Sequence, residues 1–165
     1  MGIINWFKNK SHEVSALNIK KGIKNIADVV RIDLELATNN LDNMLSFLNN
    51  PSQLNELTES ETKNQMESLK LWRERKVKIV EAQKSLYKDI TLWSSYSFEQ
   101  GFNDIIIPAL FSGEIIDKSD PSFEPVIIAV YRVCEEVAKQ NGINLEAHTP
   151  PEVLRILGNS GDLYK

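Results

Sequence analysis

The feature that most limits how this chain can fold is a long row of apolar residues at helical spacing near its start. Ile19, Ile23, Ile26, Val30, Leu34, Ala37, Leu41, Leu45 and Leu48 follow one another at steps of three and four. Only an α-helix brings such a series onto one face. Val29, Ile32, Leu36, Met44 and Phe47 widen that face to roughly half the circumference, so the helix is expected to touch two neighbours or more. The pattern predicts a helix over residues 14–49, about 36 residues and ~54 Å long at a rise of ~1.5 Å per residue. Asn49, Asn50 and Pro51 end it, because proline lacks the amide hydrogen and disfavours helical geometry in the residue before it.

A second long helix is expected after a short polar connector, starting where Thr58 and Glu61 form a capping box. Trp72, Ile79, Leu86 and Trp93 recur at seven-residue intervals, with Leu69 and Ile90 in companion positions and Val80 and Tyr87 widening the face. Such a seam packs at a shallow angle along a partner, and a short connector makes the first helix that partner in an antiparallel return. Lys76 and Gln83 interrupt the companion row, so the middle of the hairpin is expected to be solvated, covered by snorkelling side chains or closed by another chain.

Beyond Ser97 the periodicity changes. Gly101, Pro108 and Gly113 divide the remainder into shorter pieces, with one helix predicted over Phe98–Phe111, bent or ended near Pro108, and a loop over Asp117–Pro125. Phe123, Ile127, Val130, Cys134 and Val137 form a fresh helical stripe that Gly142 stops. Thr149, Pro150, Pro151 and Glu152 read as an N-cap, first-turn prolines and a capping-box acid for a short helix through Leu157, closed by Gly158. The Ile-rich stretches 105–107 and 126–130 have strand propensity, but no alternation or hairpin turn supports a sheet.

The expected architecture is therefore all-α. A single helical domain covers residues 1–165: an N-terminal segment 1–13, a long antiparallel helical hairpin 14–97, and shorter helices 98–165 that complete a bundle. A chain of 165 residues buries about two thirds of its unfolded surface without staples. Cys134 is the only thiol, so no intramolecular disulfide forms. Residues 1–10 lack the pattern of a secretory signal, and the longest apolar stretches reach about half of the ~20 residues a bilayer crossing requires. A cytoplasmic protein is expected, and the Asn, Ile and Lys usage suits a bacterial one.

Charge is unevenly spread. Residues 1–97 carry 14 basic and 12 acidic side chains, and residues 98–165 carry 5 and 11, so the front is +2 and the back −6. This distribution argues against nucleic acid, whose phosphates need a concentrated basic face. An acidic rear surface suits a basic partner protein, although a solvated face is the more ordinary meaning of such a surface.

No reactive constellation stands out. Glu-x-x-His pairs, His-Glu-x-x-His, Gly-x-x-x-x-Gly-Lys and Gly-x-Gly-x-x-Gly do not occur, and one Cys with two His cannot make a structural zinc site. Cys134 lies on an apolar stripe, where a thiol behaves as a small hydrophobe; His12 and His148 suit surface positions. Ser94, Ser95 and Ser97 have no nucleophile elbow around them. No catalytic residue, cofactor or metal is expected.

Candidate interface or pocket residues remain. Asp33 falls within the apolar half of the first helix, with Asn40 two turns later and Gly22 on the same edge. A carboxylate there must be paired or reach water, which points either to Arg132, Arg73 or Lys76, or to a pocket shared with Asn40. Lys76 and Gln83 join the list as breaks in the seam, and Tyr96 as an aromatic on the far side from Trp72 and Trp93. Ile3, Ile4, Trp6 and Phe7 beside Lys8 and Lys10 could contact a membrane surface, but packing onto the domain or a second copy is the simpler use. The pattern predicts a non-catalytic interaction protein such as a small bacterial inhibitor, immunity protein or adaptor. A peripheral membrane or small-ligand-binding helical protein is the alternative, and a homodimer would cover the broad apolar faces.

Overall fold

The computed structural model describes residues 15–37, 59–93 and 95–165. Among them every regular element is helical. Residues 15–37 are helical and are called α1. They are followed by α2 (Glu59–Ile90), α3 (Ser95–Gly101), a π-helical turn Phe102–Ile106, α4 (Ile107–Phe111), α5 (Phe123–Gln140), a 3-10 turn Leu145–His148 and α6 (Pro151–Gly158). The fold is all-α, with a long antiparallel hairpin and shorter C-terminal helices packed onto it. The expected course of the first helix beyond residue 37, its stop at Pro51 and the cap at Thr58 lie outside the described residues.

Two contacts fix the register of the hairpin, and one longer-range electrostatic interaction agrees with them. Trp93 Nε1 donates to Ser15 Oγ at 2.6 Å. A Cβ on Gly22 would stand 3.1 Å from Leu86 Cδ1, so the absent side chain lets the two helices approach closely. Asp33 feels the charge of Lys76. Seven residues along α1, from Ser15 to Gly22, match seven back along the second arm of the hairpin, from Trp93 to Leu86. That is the interval at which Ile79, Leu86 and Trp93 recur, so the sequence period and the packing period coincide.

The second helix is shorter than the seam implied. It stops at Ile90, and Trp93 sits in the turn that follows, where its amide donates to Ile90 O at 3.0 Å. The indole still closes the hairpin end, because Gly101 provides the seat: a Cβ there would lie 2.3 Å from Trp93 Cζ3.

The expected helix over Phe98–Phe111 begins three residues earlier and is interrupted by the π turn, in which the Ile107 amide donates to Phe102 O. Pro108 accounts for the widening. It has no amide to give to the carbonyl four residues back, and its ring crowds that carbonyl, so the turn before it opens by one residue. Phe98 and Phe102, stacked at 6.3 Å, are carried inward by this segment, and Phe102 meets Tyr131 of α5 edge-on at 6.3 Å.

α5 is the centre of the core. Eleven of its 18 residues are buried, among them Val126, Ile127, Ala129, Val130 and Cys134 at 0% exposure. It begins at Phe123, taking in the last three residues of the predicted loop, because Pro125 falls in the first turn where no amide is required. The end is as the sequence implies: Gly142 takes φ +66, its amide returns to Lys139 O and that of Ile143 to Ala138 O, a Schellman closure.

α6 starts one residue later than expected, and Thr149 does not cap it. The Thr149 hydroxyl donates to Leu145 O at 2.7 Å and meets Tyr131 Oη at 3.1 Å, so it ties the 3-10 turn to α5 instead. Gly158 is the last helical residue rather than the stop. The chain then folds back as a tail over residues 159–165.

Candidate functional site

One of the two polar residues that break the α2 seam, Gln83, meets this tail. Gln83 Nε2 donates to Ala129 O of α5 at 3.0 Å and to Tyr164 O of the tail at 3.5 Å. Gln83 is therefore closed by the chain's own end. An apolar residue here would leave the tail without this anchor.

Arg132 anchors the tail from the other side. Its side chain is 10% exposed and pairs with Glu135 at 3.1 Å; Nη2 donates to Gly161 O at 2.9 Å and Ser160 Oγ at 3.2 Å, and Nε donates to Leu163 O at 3.3 Å. A guanidinium fork suits this task, since it can serve several acceptors at fixed angles. Tyr164 takes the left-handed backbone, φ 57, which a non-glycine residue adopts at some cost. Its ring packs against the core, and burial pushes the phenol up to about 12, with the nearby Asp33 carboxylate acting in the same direction.

Asp33 is close enough to Tyr164 to act on it through space. Its Oδ1 atom is buried without a hydrogen-bond partner. Burial raises the carboxyl above its ordinary value, against the opposing pull of Lys76 and Arg75. Of the cations the sequence offered, Lys76 is near enough to act through space, whereas Arg132 is committed to the tail and Glu135. Asn40, the expected companion, lies outside the described residues, as do Ile3, Ile4, Trp6, Phe7 and His12. Tyr96 lies in α3, and its side chain is likewise outside the described part.

An open groove runs between α2 and α5 beside the tail, with a volume of about 670 Å³. Val80, Lys84 and Tyr87 line it from α2, Val133, Glu136, Lys139 and Gln140 from α5, and Tyr164 from the tail. Tyr87 Oη donates to Gln140 Oε1 across it. The sequence missed this groove. Val80 was expected to widen the buried seam, but it is 47% exposed because one residue from Ile79 turns the helix by ~100°. The available signal was a second row on α2, Met66, Lys70, Arg73, Val77, Val80 and Lys84, at steps of three and four.

Elsewhere the titratable groups are structural. Asp117 and Asp120 accept from the amide and hydroxyl of Ser119 and Ser122, which hold both carboxyls below their ordinary values. Cys134 is fully buried, and desolvation pushes its thiol up to about 12. No three of His, Cys, Asp and Glu gather among the described residues, and no described helix is long and apolar enough to cross a membrane. Compared with known proteins, the chain matches no family model, no curated protein and no solved structure.

Proposed function

We propose that the protein is a non-catalytic helical interaction module of the adaptor, inhibitor or immunity kind, acting through the outward face of α2. The observation that carries this reading is the placement of apolar side chains on that helix. Ile79, Leu86 and Ile90 are buried on one face, while Met66, Val77 and Val80 stand outside that face at 65%, 56% and 47% exposure. Singly exposed apolar residues are ordinary; a row at helical spacing on a helix already packed from behind is a surface another helix can use.

Two further features support the same reading. The groove beside Val80 is an open trough rather than an enclosed chamber, and such a shape suits a polypeptide better than a small molecule. Tyr164 of the tail is among its lining residues, so polypeptide already meets part of this groove. The alternative of a peripheral membrane protein rests on Ile3, Ile4, Trp6 and Phe7, outside the described residues.

The test is to purify the full chain under native conditions from cells that make it, and to measure the mass of the complex by light scattering. A stoichiometric complex with a different protein is expected. A bare monomer with no co-purifying protein sinks the proposal.

A further inference from the structure

We infer that the groove between α2 and α5 seats an amphipathic helix of another protein, with carboxylates of that helix lying between Lys84 and Lys139. This rests on the reading of the chain as an interaction module and specifies the chemistry of the partner.

The charges lining the groove are not equally available. Arg132 is paired with Glu135 and holds the tail, Lys165 is paired with Asp162 at 3.0 Å, and Glu136 accepts from Gln140 Nε2 at 3.2 Å. Lys84 and Lys139 take part in none of the ion pairs among the described residues, and they line the groove from α2 and from α5, together with Val80 and Val133. Apolar lining with a cation from each helix is complementary to a helix with an apolar stripe bordered by Asp or Glu. Beyond the groove the same face of α2 continues through Val77, Arg73, Lys70 and Met66, so a docked helix would find both apolar and basic contacts for several turns.

Other occupants fit less well. Glu67, Glu74 and Glu81 recur at seven-residue intervals along one edge of this face, and Glu136 stands on the wall of the groove. A uniform polyanion, whether a nucleic acid or an anionic membrane, would meet these carboxylates along with the cations. A second copy packed through the same face in an antiparallel pair about Val77 would set Lys70 against Lys84. A patterned helix from a different protein avoids both conflicts.

The test uses the full chain carrying a photo-crosslinking benzoylphenylalanine at Val80, expressed in cells that make the protein, with a second probe at the exposed Asn103 as reference. The expected product from Val80 is an adduct with one other protein, through a segment whose apolar residues recur at three and four and are bordered by Asp or Glu. A labelled peptide of that segment should then bind the purified chain, and the double reversal Lys84→Glu with Lys139→Glu should weaken it by about tenfold or more. Replacing the peptide's acidic residues by Lys should restore binding to the reversed chain. Both lysines are exposed, so the variant should keep the parent melting temperature. Adducts with lipid, with nucleic acid or only with this chain overturn the inference, as does peptide binding that ignores the reversal. A partner captured only from Asn103 overturns the groove while leaving the interaction module standing, and no captured protein from either position removes both.

Discussion

α5 and α2 invite comparison because length and burial run in opposite directions between them. α5 has 18 residues and buries eleven; α2 has 32 and, among its described side chains, buries three, Ile79, Leu86 and Ile90. The short helix is apolar on most of its circumference and is covered by α2, the 3-10 turn, α6 and the Phe98–Phe102 segment. Among its described side chains, the long helix packs along one stripe and presents most of the others to solvent. Core position follows the width of the apolar face rather than the length of the helix. A helix that is wide and short holds the molecule together, and one that is narrow and long offers surface.

The sharpest way to break this contrast is to truncate equivalent side chains on the two helices. Ile127→Ala in α5 should cost about 2–5 kcal/mol in urea unfolding, because the residue is fully enclosed and leaves a cavity. A cost below ~1 kcal/mol would show that α5 is not the centre. Gly101→Ala comes next, at about 1–3 kcal/mol, since its methyl must displace the Trp93 ring that closes the hairpin. Near-ultraviolet circular dichroism should report the altered indole environment, and an unchanged spectrum with unchanged stability would contradict the seat described here.

Arg132→Ala tests where the two regions are joined. Loss of its bonds to Ser160, Gly161 and Leu163 should cost about 1–2 kcal/mol and, more diagnostically, speed amide hydrogen exchange across residues 159–165 relative to α5. Equal acceleration in both places would mean that the tail is not a separate unit.

Asp33→Asn should have the smaller, opposite effect, a gain of about 1 kcal/mol at pH 7, because it removes a carboxylate that burial disfavours. A carboxyl raised in the folded state binds more protons there than in the unfolded chain. Its stability penalty is therefore absent at pH below the unfolded value and grows as pH rises through the folded one. The gain from Asp33→Asn should accordingly shrink as pH is lowered past that window, and a constant gain would rule out the charge as its cause. Met66→Ser and Val77→Ser, on the open face of α2, should each stay within about 0.5 kcal/mol of the parent.

The hairpin was legible in the sequence because Ile19, Ile23, Ile26 and Val30 on one helix and Ile79 and Leu86 on the other obey periods that only packed helices require. The stripe on α5 and its closure at Gly142 were legible for the same reason, with one residue taking the left-handed geometry that glycine permits. What escaped was set by tertiary contact. Thr149 looked like a cap, and its hydroxyl was claimed instead by Leu145 and Tyr131. Trp93 looked like a fourth seam residue, yet the helix ended before it and Gly101 received it. Of the candidate residues, Asp33, Lys76 and Gln83 were found by their misfit with the seam. The structure brings Gln83 to the tail and Asp33 close to Tyr164, a neighbour 131 positions away that no local pattern announces.

The enclosure of Cys134 gives the molecule a built-in reporter of its own opening. With the sulfur sealed inside α5 and its proton held to about 12, a thiol reagent meets almost no reactive species until the bundle comes apart. The slow labelling rate of the intact chain, set against that of the denatured chain, would measure how often the whole core exposes itself, with one native sulfur as the only probe and no substitution introduced.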